Sequence, residues 1–151
     1  MAYADFSFYS ERFYGDTLTG ENADRWLERA SDFIDALTFH RTEKAFPENE
    51  ADAVKVRKAV CAIADAQYLI DMQVKATQAA VDAHGVLRPA VASLSSGRES
   101  VSYMQNASAS SYAKAAADKA EARRMLADIA VHYLAGVPDS TGVNLLYAGV
   151  D

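Results

Sequence analysis

A single cysteine, Cys61, is the whole thiol content of this 151-residue chain. One thiol excludes an internal disulfide and any cysteine-built zinc cluster within the chain. It lies in KAVCAIA, an apolar helical run, where a buried, inert thiol is expected. Basic residues are outnumbered: fifteen Lys and Arg stand against twenty-one Asp and Glu, for a formal charge of -6. Such a surface has no general affinity for nucleic acid, whose binding relies on Lys and Arg displacing counterions. It suits plain solubility, and it also suits a surface that DNA passes without sticking. No uninterrupted apolar stretch approaches the roughly 20 residues of a membrane span. MAYADFSFYSERF lacks the basic start and apolar run of a secretory signal. These absences predict a protein made and used in a reducing, aqueous compartment, with no membrane partner.

Motifs that would carry chemistry are missing as well. Gly97 is followed by no phosphate-loop lysine, and no dinucleotide-binding GxGxxG occurs. No Glu has a His three residues later, so the di-iron bundle signature fails. No G-x-S-x-G positions a nucleophilic serine. His40, His84 and His132 are isolated in sequence, and Asp128 with His132 at i, i+4 suits a surface contact. The residues therefore predict no enzyme, no metal site and no cofactor.

What is present reads as mainly α. Half the residues are hydrophobic and 24% are charged, an ordinary globular composition for one domain spanning 1–151. Residues 1–18 hold Tyr3, Phe6, Phe8, Tyr9, Phe13 and Tyr14, too many rings for a free tail, and Gly15-Asp16 closes the segment as a turn. A first long helix is predicted from Glu21 to Thr38. Leu27, Ala30, Ile34 and Leu37 form its apolar stripe, widened by Trp26 and Phe33, with Thr19 as cap. Glu21, Asp24, Glu28, Asp32 and Asp35 line its opposite, solvated face. After a linker at Pro47, Asn49 caps a second helix from Glu50 to His84, stopped by Gly85. Val56, Val60, Ile63, Ile70 and Val74 make one stripe on it, and Cys61, Ala64, Tyr68 and Met72 a second. A third helix, alanine-rich at first, runs from Ser111 to Leu134. Residues 136–151 are glycine-rich yet carry Leu145, Leu146, Tyr147 and Val150. On composition these either tuck into the core or serve a partner.

Between the second and third helices lies SSGRESVSY. With Gly97 and Arg98 central in a type II′ turn, Leu94 faces Val101 and Ala92 faces Tyr103 on one side. Serines pair on the other side, as a half-buried hairpin requires. The fold class predicted is a bundle of three to four helices, one of them long, within residues 21–134. A β-hairpin at about 91–104 projects from it, and a C-terminal tail extends over 136–151.

In order along the chain, FYSERFYGD, RASDFIDALTFHR, AVKVRKAVCAIADAQ, SSGRESVSY and YLAGVPDSTGVNLLYAGV resemble the head–tail connector (adaptor, or head-completion) proteins of long-tailed bacteriophages. The resemblance implies a non-enzymatic virion protein at the phage neck, made in the bacterial host cytoplasm. It implies assembly with copies of itself into a ring, typically dodecameric, between the portal protein and a tail-side neck or stopper protein. DNA would pass the channel without specific binding. Leu145, Leu146, Tyr147 and Val150 would dock on the portal or a neighbouring subunit. The hairpin residues Leu94, Gly97, Arg98, Glu99, Val101 and Tyr103 would make intersubunit contacts. Two rival readings are a neighbouring neck component, stopper or tail terminator, and a cytoplasmic helical binding or regulatory module.

Overall fold

The computed structural model describes residues 1–84 and 110–147, the side chains of residues 79–84 excepted. Its helices are α1 (Phe6–Glu11), α2 (Ala23–Leu37), α3 (Arg41–Lys44), α4 (Glu50–His84), α5 (Ser111–Ala117) and α6 (Lys119–Leu134). Among the described residues the only ladder pairing is an isolated antiparallel bridge between Pro138 and Asn144. The architecture is mainly helical, with one long helix, as the periodicity predicts. The hairpin at about 91–104, with Leu94, Gly97, Arg98, Glu99, Val101 and Tyr103, lies outside the described residues, as does Val150.

The chain divides into two compact units, Met1–Gln67 with Leu126–Asp151, and Tyr68–Met125. In the first, α2 presents Trp26, Leu27, Ala30 and Ile34 to the core. The guanidinium groups of Arg25 and Arg29 lie 4.9 and 4.8 Å from the Trp26 ring centroid, so their stems cover the indole. The first half of α4 adds Val56, Val60, Cys61, Ile63 and Ala64, all fully buried. Leu126, Ala130 and Leu134 of α6 complete this core with Val137 and Leu145 beyond it. Asn49 caps α4 as predicted, its side-chain oxygen accepting from the Ala51 and Asp52 amides at 2.9 and 3.3 Å. At α2 the first turn is closed by the backbone carbonyl of Thr19, which accepts from the Asn22 and Ala23 amides.

Two expectations need correction. Asp35 does not lie on the solvated face of α2: it is 9% exposed and accepts the Tyr3 hydroxyl at 2.6 Å. Ser31, Asp35 and Thr38 follow one another at i, i+4 and i+7, so they form a polar strip along the edge of the buried face. The helix predicted over 111–134 is two helices. Asp118 adopts extended backbone (φ -139°, ψ 118°) and its carboxylate accepts from the Ala120 amide at 2.9 Å. Asp118 thus ends α5 and caps α6, a competition between side chain and helix that aspartate wins readily.

The second unit holds the rest of α4 together with α5 and the start of α6. Here α4 changes character. From Gln67 to Gln78 no residue is fully buried, Ile70 and Val74 are half-buried, and Met72 is exposed. Ser110 caps α5 by accepting from the Ala113 amide, and Ala115 is its buried residue.

Candidate interaction surface

The segment after α6 is built to turn. Gly136 (φ +77°) and Gly142 (φ +89°) take left-handed conformations that glycine adopts without strain. Between them, Asp139 accepts three hydrogen bonds on Oδ1, from the Thr141 amide at 2.8 Å, the Thr141 hydroxyl at 2.6 Å and the Val143 amide at 3.0 Å. Its own amide donates to the Val143 carbonyl at 2.7 Å. Burial works to raise the Asp139 carboxyl, but these donors and the nearby Arg41 charge outweigh it and hold the group below its ordinary value.

Arg41 ties this turn to α3. Its Nη1 donates to the Asn144 carbonyl at 3.0 Å, its Nε lies 3.8 Å from Asp139 Oδ2, and its guanidinium stands 5.9 Å from the Tyr147 ring centroid. The Ser140 amide adds a bond to the Ala45 carbonyl at 3.0 Å. Arg41 is placed by a tight corner: Phe39 (φ 55°) and His40 (φ 60°) are successive left-handed residues. The corner is held by the His40 amide donating to the Asp35 carbonyl at 2.6 Å and by the Thr38–Thr42 hydroxyl pair at 2.9 Å. Left-handed backbone disfavours non-glycine residues, so this corner stores strain that the surrounding bonds must offset.

The predicted partner-docking residues are thereby sorted. Leu145 is fully buried, its amide donating to the Val137 carbonyl at 2.9 Å, and belongs to the core of its own chain. Leu146 is half-buried and Tyr147 is 53% exposed. With Ala135, Gly136 and Asn144 they line an open groove of about 400 Å³. Phe39, 63% exposed, stands two residues before Arg41. The usable surface at this end of the unit is therefore Leu146 and Tyr147, with Leu145 as their anchor. Composition left the two fates of the apolar terminus open; Leu145 tucks into the core, while Tyr147 stays exposed. Arg41 and Asp139 escaped the sequence reading, although Asp-Ser-Thr-Gly is the pattern of a side-chain-closed turn.

Several other ionisable groups hold the fold together. Tyr9 is fully buried and donates its hydroxyl to Asp65 at 2.6 Å while accepting from the Thr17 and Leu18 amides, each at 2.9 Å. Burial raises Asp35 and Asp65 above the ordinary carboxyl value, against the lowering effect of the Tyr3 and Tyr9 hydroxyls that each accepts. Burial pushes the Cys61 thiol up to about 12. A second cleft, about 530 Å³, is lined by Tyr3, Asp5, Phe8, Asp24, Glu28 and Arg57. Asp5 there is engaged as the α1 cap, accepting from the Phe8 amide at 2.8 Å. Among the described residues no group of three His, Cys, Asp or Glu is placed to hold a metal ion, and no helix is long and apolar enough to cross a membrane. Set against known proteins, the chain matches no family model, no curated protein and no solved structure.

Proposed function

We propose that the chain is a non-enzymatic structural protein of a phage virion, a neck component that joins the portal to the tail-side proteins as a ring of identical subunits. The observation that carries this reading is the ordered resemblance of five segments, spread over nearly the whole chain, to head–tail connectors. The surface supports it in one respect. Leu146 and Tyr147 form an apolar edge on a turn that Arg41 and Asp139 hold rigid, and a rigid aromatic beside an arginine is the usual make-up of an interface hot spot. The portal or a neighbouring subunit would meet this edge, and Arg98 and Glu99, at the tip of the hairpin expected from the sequence, would meet the next subunit.

The test uses Tyr147→Ala, which leaves the core residue Leu145 in place. Purified virions should carry the chain at the neck by electron microscopy, and Tyr147→Ala should lower the yield of joined heads and tails. Arg98→Ala with Glu99→Ala should weaken assembly without unfolding the subunit. Absence of the chain from virions overturns the reading, and wild-type joining by Tyr147→Ala removes the docking edge from it.

One observation favours a second reading, a cytoplasmic helical binding module. Its apolar terminus would fold back, as Leu145 does. Such a protein stays a monomer or dimer at any concentration and is missing from virions. A stopper or tail terminator tends to be β-rich, and the helical architecture counts against it.

A further inference from the structure

Among the described residues, three that are not glycine take left-handed backbone: Tyr14 (φ 59°), Phe39 (φ 55°) and His40 (φ 60°). Two of them carry large rings, and those rings stand in solvent: Tyr14 is 81% exposed and Phe39 63%. Left-handed backbone is unfavourable for any residue with a Cβ, and a ring left in water offsets little of that cost through burial.

Backbone shape alone would favour glycine at both places. Phe39 follows the last turn of α2, at the position where helices commonly end on a left-handed glycine. The His40 amide donates to the Asp35 carbonyl at 2.6 Å and the Phe39 amide to the Ala36 carbonyl at 3.3 Å, the paired bonds of that helix end. All four groups are backbone, so glycine at 39 would make the same bonds without the strain. Beside Tyr14 the chain does have a glycine, but Gly15 is used to clear the Tyr9 ring, and the left-handed conformation falls on the tyrosine. Strain that a residue's own fold does not offset points to a use outside that fold.

Tyr14 lies in the loop that enters α2 and Phe39 at the corner that leaves it, at opposite ends of a helix of 15 residues, about 22 Å long. Both belong to the first compact unit. The two rings therefore mark two patches, not one. A head-to-tail contact between identical copies needs two different patches on each subunit, whereas a two-fold pair uses one patch twice. We propose that Tyr14 and Phe39 are recognition residues for a second copy of this chain, the Tyr14 patch of one copy meeting the Phe39 patch of the next. The choice of a copy as partner rests on the ring reading above; the outward use of the two rings rests on their backbone and exposure.

Sedimentation velocity of the purified full chain, at concentrations up to about 1 mM, tests it together with thermal melts of the dilute protein. The wild type should sediment faster as concentration rises, and Tyr14→Gly and Phe39→Gly should each weaken that association at least about tenfold. Phe39→Gly should nevertheless melt about 1–4 °C above the wild type, and above Phe39→Ala, which loses the ring but keeps the strain. An equal mixture of Tyr14→Gly and Phe39→Gly should pair again and stop at dimers, since each variant keeps the patch that the other lacks. A wild type that stays monomeric overturns the proposal and leaves the neck reading to the virion test. Phe39→Gly that associates like the wild type, or melts below it, overturns it as well, and so does a mixture that fails to pair. Absence of the chain from virions removes the neck reading while pairing in solution still stands.

Discussion

Gly15 lies directly against the phenol ring of Tyr9: a Cβ added at position 15 would overlap three carbons of that ring. Because Tyr9 is fully buried and fixed by three hydrogen bonds at its hydroxyl, the ring cannot swing away. Gly15→Ala should therefore destabilise the protein by about 1–3 kcal/mol, as overpacking does. Urea unfolding followed by circular dichroism checks it. Gly20→Ala is the control, since the nearest ring atom to a Cβ there is 3.6 Å away, an ordinary contact.

The same tyrosine gives an alkaline signature. Burial, and then the Asp65 hydrogen bond, raises the Tyr9 phenol, and burial with the Asp35 bond raises Tyr3. The stability these phenols contribute is complete below the free value of about 10 and is lost as pH climbs through the folded values. Tyrosinate absorbance should show two phenols that ionise only as the helical signal collapses. Tyr9→Phe should remove one of them and cost about 1–3 kcal/mol, because it strands the Thr17 and Leu18 amides and Asp65.

Leu145 and Tyr147, two residues apart, should respond to very different extents. Leu145→Ala opens a cavity in the core and should cost about 2–5 kcal/mol. Tyr147→Ala gives up an exposed ring and a cation–π contact with Arg41, and should cost about 1 kcal/mol or less. Thermal melts of the two variants distinguish them.

Acid should open the C-terminal turn. The Asp139 carboxyl is held below its ordinary value, so its contribution is complete above about pH 4 and is lost as pH falls through the folded value. Corrected for intrinsic rates, protection of the Thr141 and Val143 amides should fall at about pH 3, and Asp139→Asn should flatten that response.

How much of this was legible in the sequence depends on the kind of contact involved. The stripe of Leu27, Ala30 and Ile34 and that of Val56, Val60 and Ile63 are buried as their spacing predicts, because helical periodicity is a local property. Asn49 likewise caps α4 from one residue away. Asp35 was misread because a carboxylate on an amphipathic helix looks solvated until its partner, 32 residues earlier, is known. The Tyr9–Asp65 bond spans 56 residues and Arg41–Asn144 spans 103, separations over which no pattern in the chain carries information. At the candidate surface, composition marked the apolar terminus but could not divide it. Only the left-handed turns and the Pro138–Asn144 bridge set Leu145 inward and Tyr147 outward.

Asp118 has a dynamic consequence of its own. By ending one helix and beginning the next, it interrupts the hydrogen-bond register through which helical order propagates. α5, seven residues long, falls well short of the roughly 12–15 residues a helix needs to be even marginally stable alone. Its order is therefore borrowed from its packing, and fraying that starts there stops at Asp118 without reaching the sixteen residues of α6. One aspartate thus acts as a firebreak between two cooperative stretches that share a continuous chain.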